Sequence, residues 1–181
     1  MNDASQMRCG FVAVLGAPNA GKSTLINELV GAKVSIVTHK VQTTRIRIMG
    51  IATKDESQIV FIDTPGIFEP RRRLDRAMVD AAWRGASDAD RIMLVVDAKR
   101  GMDRDTARIV EGLKESKRTA ALVLNKIDLV KREDLLALAA EFNAAEIFDE
   151  TFMISALKGD GVADILSRLA GLLPEGPWMF P

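Results

Sequence analysis

The chain has 181 residues, 48% hydrophobic and 28% charged, a composition that fits one globular domain with a real core. Lysine plus arginine equals aspartate plus glutamate at 25 each, so this chain alone lacks the basic excess of a strong nucleic-acid binder. The single cysteine, Cys9, excludes an internal disulfide and points to a reducing cytoplasm; the polar start from Met1 to Gln6 lacks a signal-peptide core, and no apolar run is long enough to span a bilayer.

The first apolar run, 10–15, predicts a buried strand. It leads directly into Gly16, Ala17, Pro18, Asn19, Ala20, Gly21, Lys22 and Ser23, and then into Thr24 and a helical stretch over 22–30. Strand, glycine-rich turn and helix start together form a phosphate-binding loop. The turn aims several backbone N–H groups at one point, and the helix dipole adds partial positive charge there. Lys22 can reach the β- and γ-phosphates, and the Ser23 hydroxyl can sit on Mg²⁺.

Residues 33–45 follow as a candidate switch segment closing on Thr43, Thr44 and Arg45. A threonine hydroxyl there can complete Mg²⁺ coordination only when a γ-phosphate is present. Thr44 is favoured over Thr43. His39, the only histidine, lies in this segment and reads as a solvated loop residue rather than a base. The runs 46–52 and 58–62 are joined by a polar linker too short for a crossover helix, which predicts an antiparallel hairpin at a sheet edge.

Asp63, Thr64, Pro65 and Gly66 come straight after the second hairpin strand. The Asp63 carboxylate can hold the Mg²⁺ shell through water, and the Gly66 N–H can meet the γ-phosphate. Arg71, Arg72 and Arg73 read as a solvated surface, with contact to phosphate or RNA as the alternative. A helix is predicted over 74–84, a strand over 91–96, and a helix over 104–115 with Asp103 as its N-cap.

The strand predicted at 120–124 ends on Asn125, Lys126, Ile127 and Asp128. Asp128 can accept from N1–H and the 2-amino group of guanine. Adenine has neither donor there, and a carboxylate left unpaired against it costs about 1–3 kcal/mol or more. Lys126 can lie along the base face and tie this loop to the phosphate loop. This motif selects GTP over ATP. A helix over 132–142 and a strand over 151–154 follow, the latter leading into Ser155, Ala156 and Leu157, where the Ala156 N–H would donate to guanine O6.

The last helix, 162–172, stops near Gly171 and Pro174. Residues 1–173 therefore read as one nucleotide-binding domain and 174–181 as the start of a linker. Its Trp178, Met179 and Phe180 are read as finding their partners in a part of the protein beyond Pro181; folding back on this domain is the less favoured alternative. Alternating strands and helices predict an α/β fold: a mostly parallel six-stranded sheet with one antiparallel edge strand and helices on both faces.

The five motifs in this order resemble the translation-factor-related P-loop GTPases. Four stretches bring the chain closer to the Era-like ribosome-assembly GTPases of the TrmE–Era group. They are the Gly-Ala-Pro-Asn-Ala-Gly-Lys-Ser loop from Gly16 to Ser23, Val41-Gln42-Thr43-Thr44-Arg45, Asp63-Thr64-Pro65-Gly66-Ile67 and Pro174-Glu175-Gly176-Pro177-Trp178. The resemblance covers almost the whole chain. It implies a monomeric GTPase switch in maturation of the small ribosomal subunit and its 16S RNA. It also implies cytoplasmic work, with peripheral association at the inner membrane left open. Family members bind ribosomal RNA through a C-terminal KH domain, whose Gly-x-x-Gly loop this chain does not contain.

Ras-type GTPases orient the attacking water with a glutamine where this chain has Ile67. Isoleucine cannot do this. Related GTPases use a potassium ion held by a phosphate-loop asparagine, which maps onto Asn19. Such an ion does the electrostatic work of an arginine finger, worth about 10³–10⁵ in rate, or roughly 4–7 kcal/mol. The expected catalytic set is therefore Lys22, Thr44, Gly66 and Asn19. Two alternatives stand beside this reading: a nucleotide-stabilised interaction module without catalysis, which Ile67 keeps open, and a P-loop ATPase or kinase, which the motif from Asn125 to Asp128 opposes.

Overall fold

The computed structural model describes residues 6–31, 47–63 and 88–181. In chain order they form β1 (Arg8–Leu15), α1 (Lys22–Val30), β2 (Arg47–Lys54), β3 (Ser57–Asp63), β4 (Arg91–Asp97), α2 (Arg104–Glu115), β5 (Ala120–Asn125), α3 (Arg132–Asn143), β6 (Phe148–Met153) and α4 (Val162–Leu172). The strands make one sheet in the order β2-β3-β1-β4-β5-β6. Only β2 and β3 pair antiparallel. This is the expected architecture, hairpin at the edge included. The helix predicted over 74–84 lies outside the described residues.

Strand periodicity explains the two layers. Val12 and Val14 of β1 join Leu25 and Leu29 of α1 and Ile165 and Leu169 of α4 in one core. Their neighbours Ala13 and Leu15 join Ile109 and Leu113 of α2 and Leu138 and Phe142 of α3 in the other. Successive side chains point to opposite faces, so a strand covered on both sides must be apolar throughout. Each fully buried Leu, Ile or Val contributes about 1.5–3 kcal/mol. In β1, β4 and β5 polar residues are confined to the strand ends, and the parallel strands β1, β3, β4, β5 and β6 bring their carboxyl ends to one rim.

Strand β6 is where the prediction slips. It spans Phe148–Met153 rather than 151–154. As an edge strand it is only half buried and carries Asp149 and Glu150, which break any apolar run. Arg91 donates to both Asp149 oxygens at 2.6 and 2.5 Å, and Arg168 donates to Glu150. Elsewhere the local signals hold: Asp103 caps α2, accepting from the Thr106 N–H at 2.8 Å.

The C-terminal segment folds back on the domain, against the favoured reading of its apolar groups. It crosses the amino ends of β1 and β3, opposite the rim of loops. The Cys9 N–H donates to Pro174 O, and the Gly176 N–H to Met7 O. Trp178 Nε1 donates to Glu56 O at 3.0 Å. Gln58, 2% exposed, accepts from the N–H groups of Met179 (3.0 Å) and Phe180 (3.2 Å) and donates to Phe180 O (3.0 Å). The Cys9 thiol also donates to it, at 3.4 Å. A buried amide needs such partners, and the tail supplies three of them. Gln58→Ala is expected to lose about 1–3 kcal/mol of stability, a fall in Tm of roughly 3–10 °C. GDP affinity should be unchanged, because the site lies at the far end of β3. A Tm equal to wild type in thermal melts would contradict the clamp.

Candidate functional site

The rim loops converge on the phosphate loop. Between β1 and α1 the backbone makes two turns that side chains resist. Gly21 sits at φ 97°, and a Cβ there would lie 2.3 Å from Asn125 Nδ2. At Gly16 a Cβ would lie 2.6 Å from Val95 O. Both positions therefore require glycine. Asn19 is left-handed as well, at φ 67°, a conformation asparagine tolerates better than most residues. Ala17 and Ala20 are buried, while Pro18 and Asn19 are exposed at the loop tip.

Lys22 opens α1, and its Nζ donates to Gly16 O at 2.9 Å, curling over the loop. Burial pushes its ammonium below the ordinary lysine range, and the nearby Asp63 carboxylate opposes part of that effect. A phosphate at the same place acts in the same direction as Asp63 and holds the proton on. Asp63 ends β3 in register with Val14 of β1. Ser23 is exposed on the first turn of α1, with Thr24 beside it. A hydroxyl and a carboxylate are hard oxygen donors, the type Mg²⁺ takes while keeping several waters. The residues present at this rim, Ser23 and Asp63, are of the type that fits that ion.

The base loop is knotted to the phosphate loop. Asn125, 2% exposed, donates through Nδ2 to Ala20 O at 3.0 Å. Its Oδ1 accepts from the N–H groups of Lys126 (2.8 Å) and Ala156 (3.0 Å). One side chain thus joins three rim loops. The Ala156 N–H, expected to meet guanine O6, is bonded to Asn125; reaching O6 requires it to share its hydrogen or change partner. Lys126, at φ 66°, extends its Nζ to Asn19 O (2.8 Å) and Asp97 Oδ2 (3.0 Å). Asp128 is exposed in the 3-10 turn Ile127–Leu129. Ser155 is buried and its Oγ accepts from the Lys158 N–H at 3.4 Å, while Leu157 is 82% exposed.

Asp97 was missed from the sequence. It ends the apolar strand β4 as Asp63 ends β3, and that shared placement was the available signal. Burial alone would raise its carboxyl. The Lys126 hydrogen bond, the Lys99 N–H, the Lys126 charge and the Arg100 N–H outweigh that and hold it below the usual carboxylate range. Thr43, Thr44, Arg45, Thr64, Pro65, Gly66, Ile67, His39 and the arginines at 71–73 lie outside the described residues. Among the described residues, no helix is long and apolar enough to cross a membrane.

A six-stranded, mostly parallel sheet with this phosphate loop after β1 and this base loop after β5 has the P-loop GTPase fold. Residues 11–126 match the family described as 50S ribosome-binding GTPase, and the chain belongs to that family. Within it the chain is similar to GTPase Era of Sinorhizobium medicae, 64% identical over 174 residues, which are 96% of this chain and 56% of that relative. Among solved structures it is similar to Aquifex aeolicus Era bound to GDP and aluminium fluoride, at TM-score 0.77 and 38% identity, covering 97% of this chain and 60% of that one. It is equally similar to Era in complex with MgGDPNP and nucleotides 1506–1542 of 16S ribosomal RNA, at TM-score 0.78, 38% identity and the same coverage of 97% and 60%. The chain thus spans little more than half the length of the curated relatives it matches.

Proposed function

We propose that this chain binds guanine nucleotide with Mg²⁺, hydrolyses GTP to GDP, and acts as a switch in assembly of the small ribosomal subunit. The observation that carries this reading is the join between base loop and phosphate loop through Asn125 and Lys126. It presents a carboxylate at Asp128 and an ammonium at Lys22 on one rim, as a nucleoside polyphosphate needs. The relatives solved with GDP, with MgGDPNP and with 16S ribosomal RNA support nucleotide, magnesium and RNA as the partners. Contact with RNA belongs, in this reading, to a KH domain that follows residues 174–181 in the longer protein. Cytoplasmic work as a monomer, with peripheral contact at the inner membrane, belongs to the same reading.

Lys22 and the N–H groups around it hold the phosphates and offset the charge that develops on them. Thr44 and Gly66 would complete the γ-phosphate contacts. When bound, Mg²⁺ would neutralise part of the charge on the phosphates, and Ser23 and Thr44 directly, with Asp63 through water, would hold it. With Ile67 in place of a water-orienting glutamine, intrinsic turnover is slow. Asn19, exposed at the loop tip, is the side chain that would hold a potassium ion beside the phosphates in this reading. Single-turnover phosphate release should be at least about tenfold faster in KCl than in matched NaCl, and Asn19→Ala should erase that difference. Equal rates in both salts would refute the potassium role. No phosphate release at all would favour the binding-only module.

A further inference from the structure

We propose that Asp97 is the positioning residue for Lys126, fixing that side chain across the rim so that its stem is ready to lie against a purine. This rests on the guanine-nucleotide reading above and adds a residue to it. Asp97 ends β4 in register with Asn125 of β5. The Ala98 N–H donates to Asn125 O at 2.9 Å, which locks the two strand ends together where the base loop begins.

The Asp97 carboxylate divides its work between two oxygens. Oδ1 accepts from the N–H groups of Lys99 (2.9 Å) and Arg100 (3.3 Å), which sets the orientation of the side chain. That leaves Oδ2 facing Lys126 Nζ at 3.0 Å. The Asp97 side chain is only 12% exposed, so its charge is poorly screened by water. The other partner of Nζ, Asn19 O, is a neutral dipole on an exposed loop tip. Of the two partners the carboxylate is the anchor, since bonds between charged groups are about twice as strong as neutral ones. A lysine stem is flexible and loses much freedom when ordered. Asp97 imposes that order before any base arrives, and a side chain ordered in advance raises affinity.

Asp97→Asn separates the two roles. Its Oδ1 still accepts from Lys99 and Arg100, but the anion facing Nζ is gone. Calorimetry with GDP and Mg²⁺ should show affinity falling about tenfold on the wild-type background. On a Lys126→Met background the same substitution should change affinity less than about twofold, because the group it acts through is absent. If Asp97→Asn does not fold, Asp97→Ser keeps an acceptor for the turn and enters the same cycle with the same expectations. An equal loss on both backgrounds marks a merely structural residue and overturns the proposal, as does no loss on the wild type. A wild-type chain that takes up no GDP overturns the guanine-nucleotide reading itself, and is seen before any variant is made.

Discussion

Asparagine at position 128 transfers the preference of this chain from guanosine to xanthosine diphosphate. The Asp128 carboxylate is two acceptors, matched to the N1–H and 2-amino donors of guanine. An asparagine amide is one acceptor and one donor. Against guanine its NH₂ meets another NH₂, and a donor on each side goes unpaired. Xanthine keeps N1–H and carries a carbonyl oxygen in place of the amino group, so the amide pairs with it completely. Each unpaired group costs about 1–3 kcal/mol, which makes the expected fall in GDP affinity about 100-fold. Affinity for xanthosine diphosphate should rise by a comparable factor. Asp128 is exposed on a short turn, so Tm in the absence of nucleotide should stay within about 1–2 °C of wild type. Calorimetric titration of Asp128→Asn with both nucleotides is the check. An unchanged ratio of affinities would mean that Asp128 does not read the base.

Asn125→Ala should damage both fold and site. The substitution removes the bonds to Ala20 O, Lys126 N–H and Ala156 N–H together. The residue is buried, so water replaces them poorly, and unsatisfied buried groups carry most of the penalty. A loss of about 2–4 kcal/mol is expected, or roughly 5–15 °C in Tm. GDP affinity should fall at least about 100-fold, because the phosphate loop and the base loop lose their common tether. Asn125→Asp is a sharper variant. It keeps the acceptor toward Lys126 and Ala156 but turns a carboxylate oxygen toward Ala20 O, where two acceptors repel. Leu129→Ala, at an exposed position directly after Asp128 in the same turn, should leave affinity and Tm near wild type. If Asn125→Ala melts and binds as wild type does, the tether is not what organises the rim.

The sheet was legible because burial on both faces forces uninterrupted apolar runs. β1, β4 and β5 carry such runs and fall close to their predicted places. β6 was misplaced by three residues at its start, because Asp149 and Glu150 answer to Arg91 and Arg168 rather than to a core. The phosphate loop and the Asn125 to Asp128 loop were legible because each sets special residue types directly after a strand. Asp97 was not, since one aspartate after a strand has many uses and its partner Lys126 is distant in sequence. Gln58 was opaque for the same reason: a glutamine opening a strand says nothing until residues far along the chain close over it. The Ala156 N–H shows the converse. Its position was foreseen, but its bond to Asn125 depends on how two strand ends meet.

The rim formed by Lys22, Asn125, Lys126 and Asp128 is proposed as a guanine-nucleotide site. Calorimetric titration of the purified chain, stripped of nucleotide and supplied with Mg²⁺, tests this directly. GDP should bind with a clear heat and at least about 100-fold more tightly than ADP, the margin set by the two guanine donors that adenine lacks. No heat with GDP, or ADP bound as tightly, would contradict it.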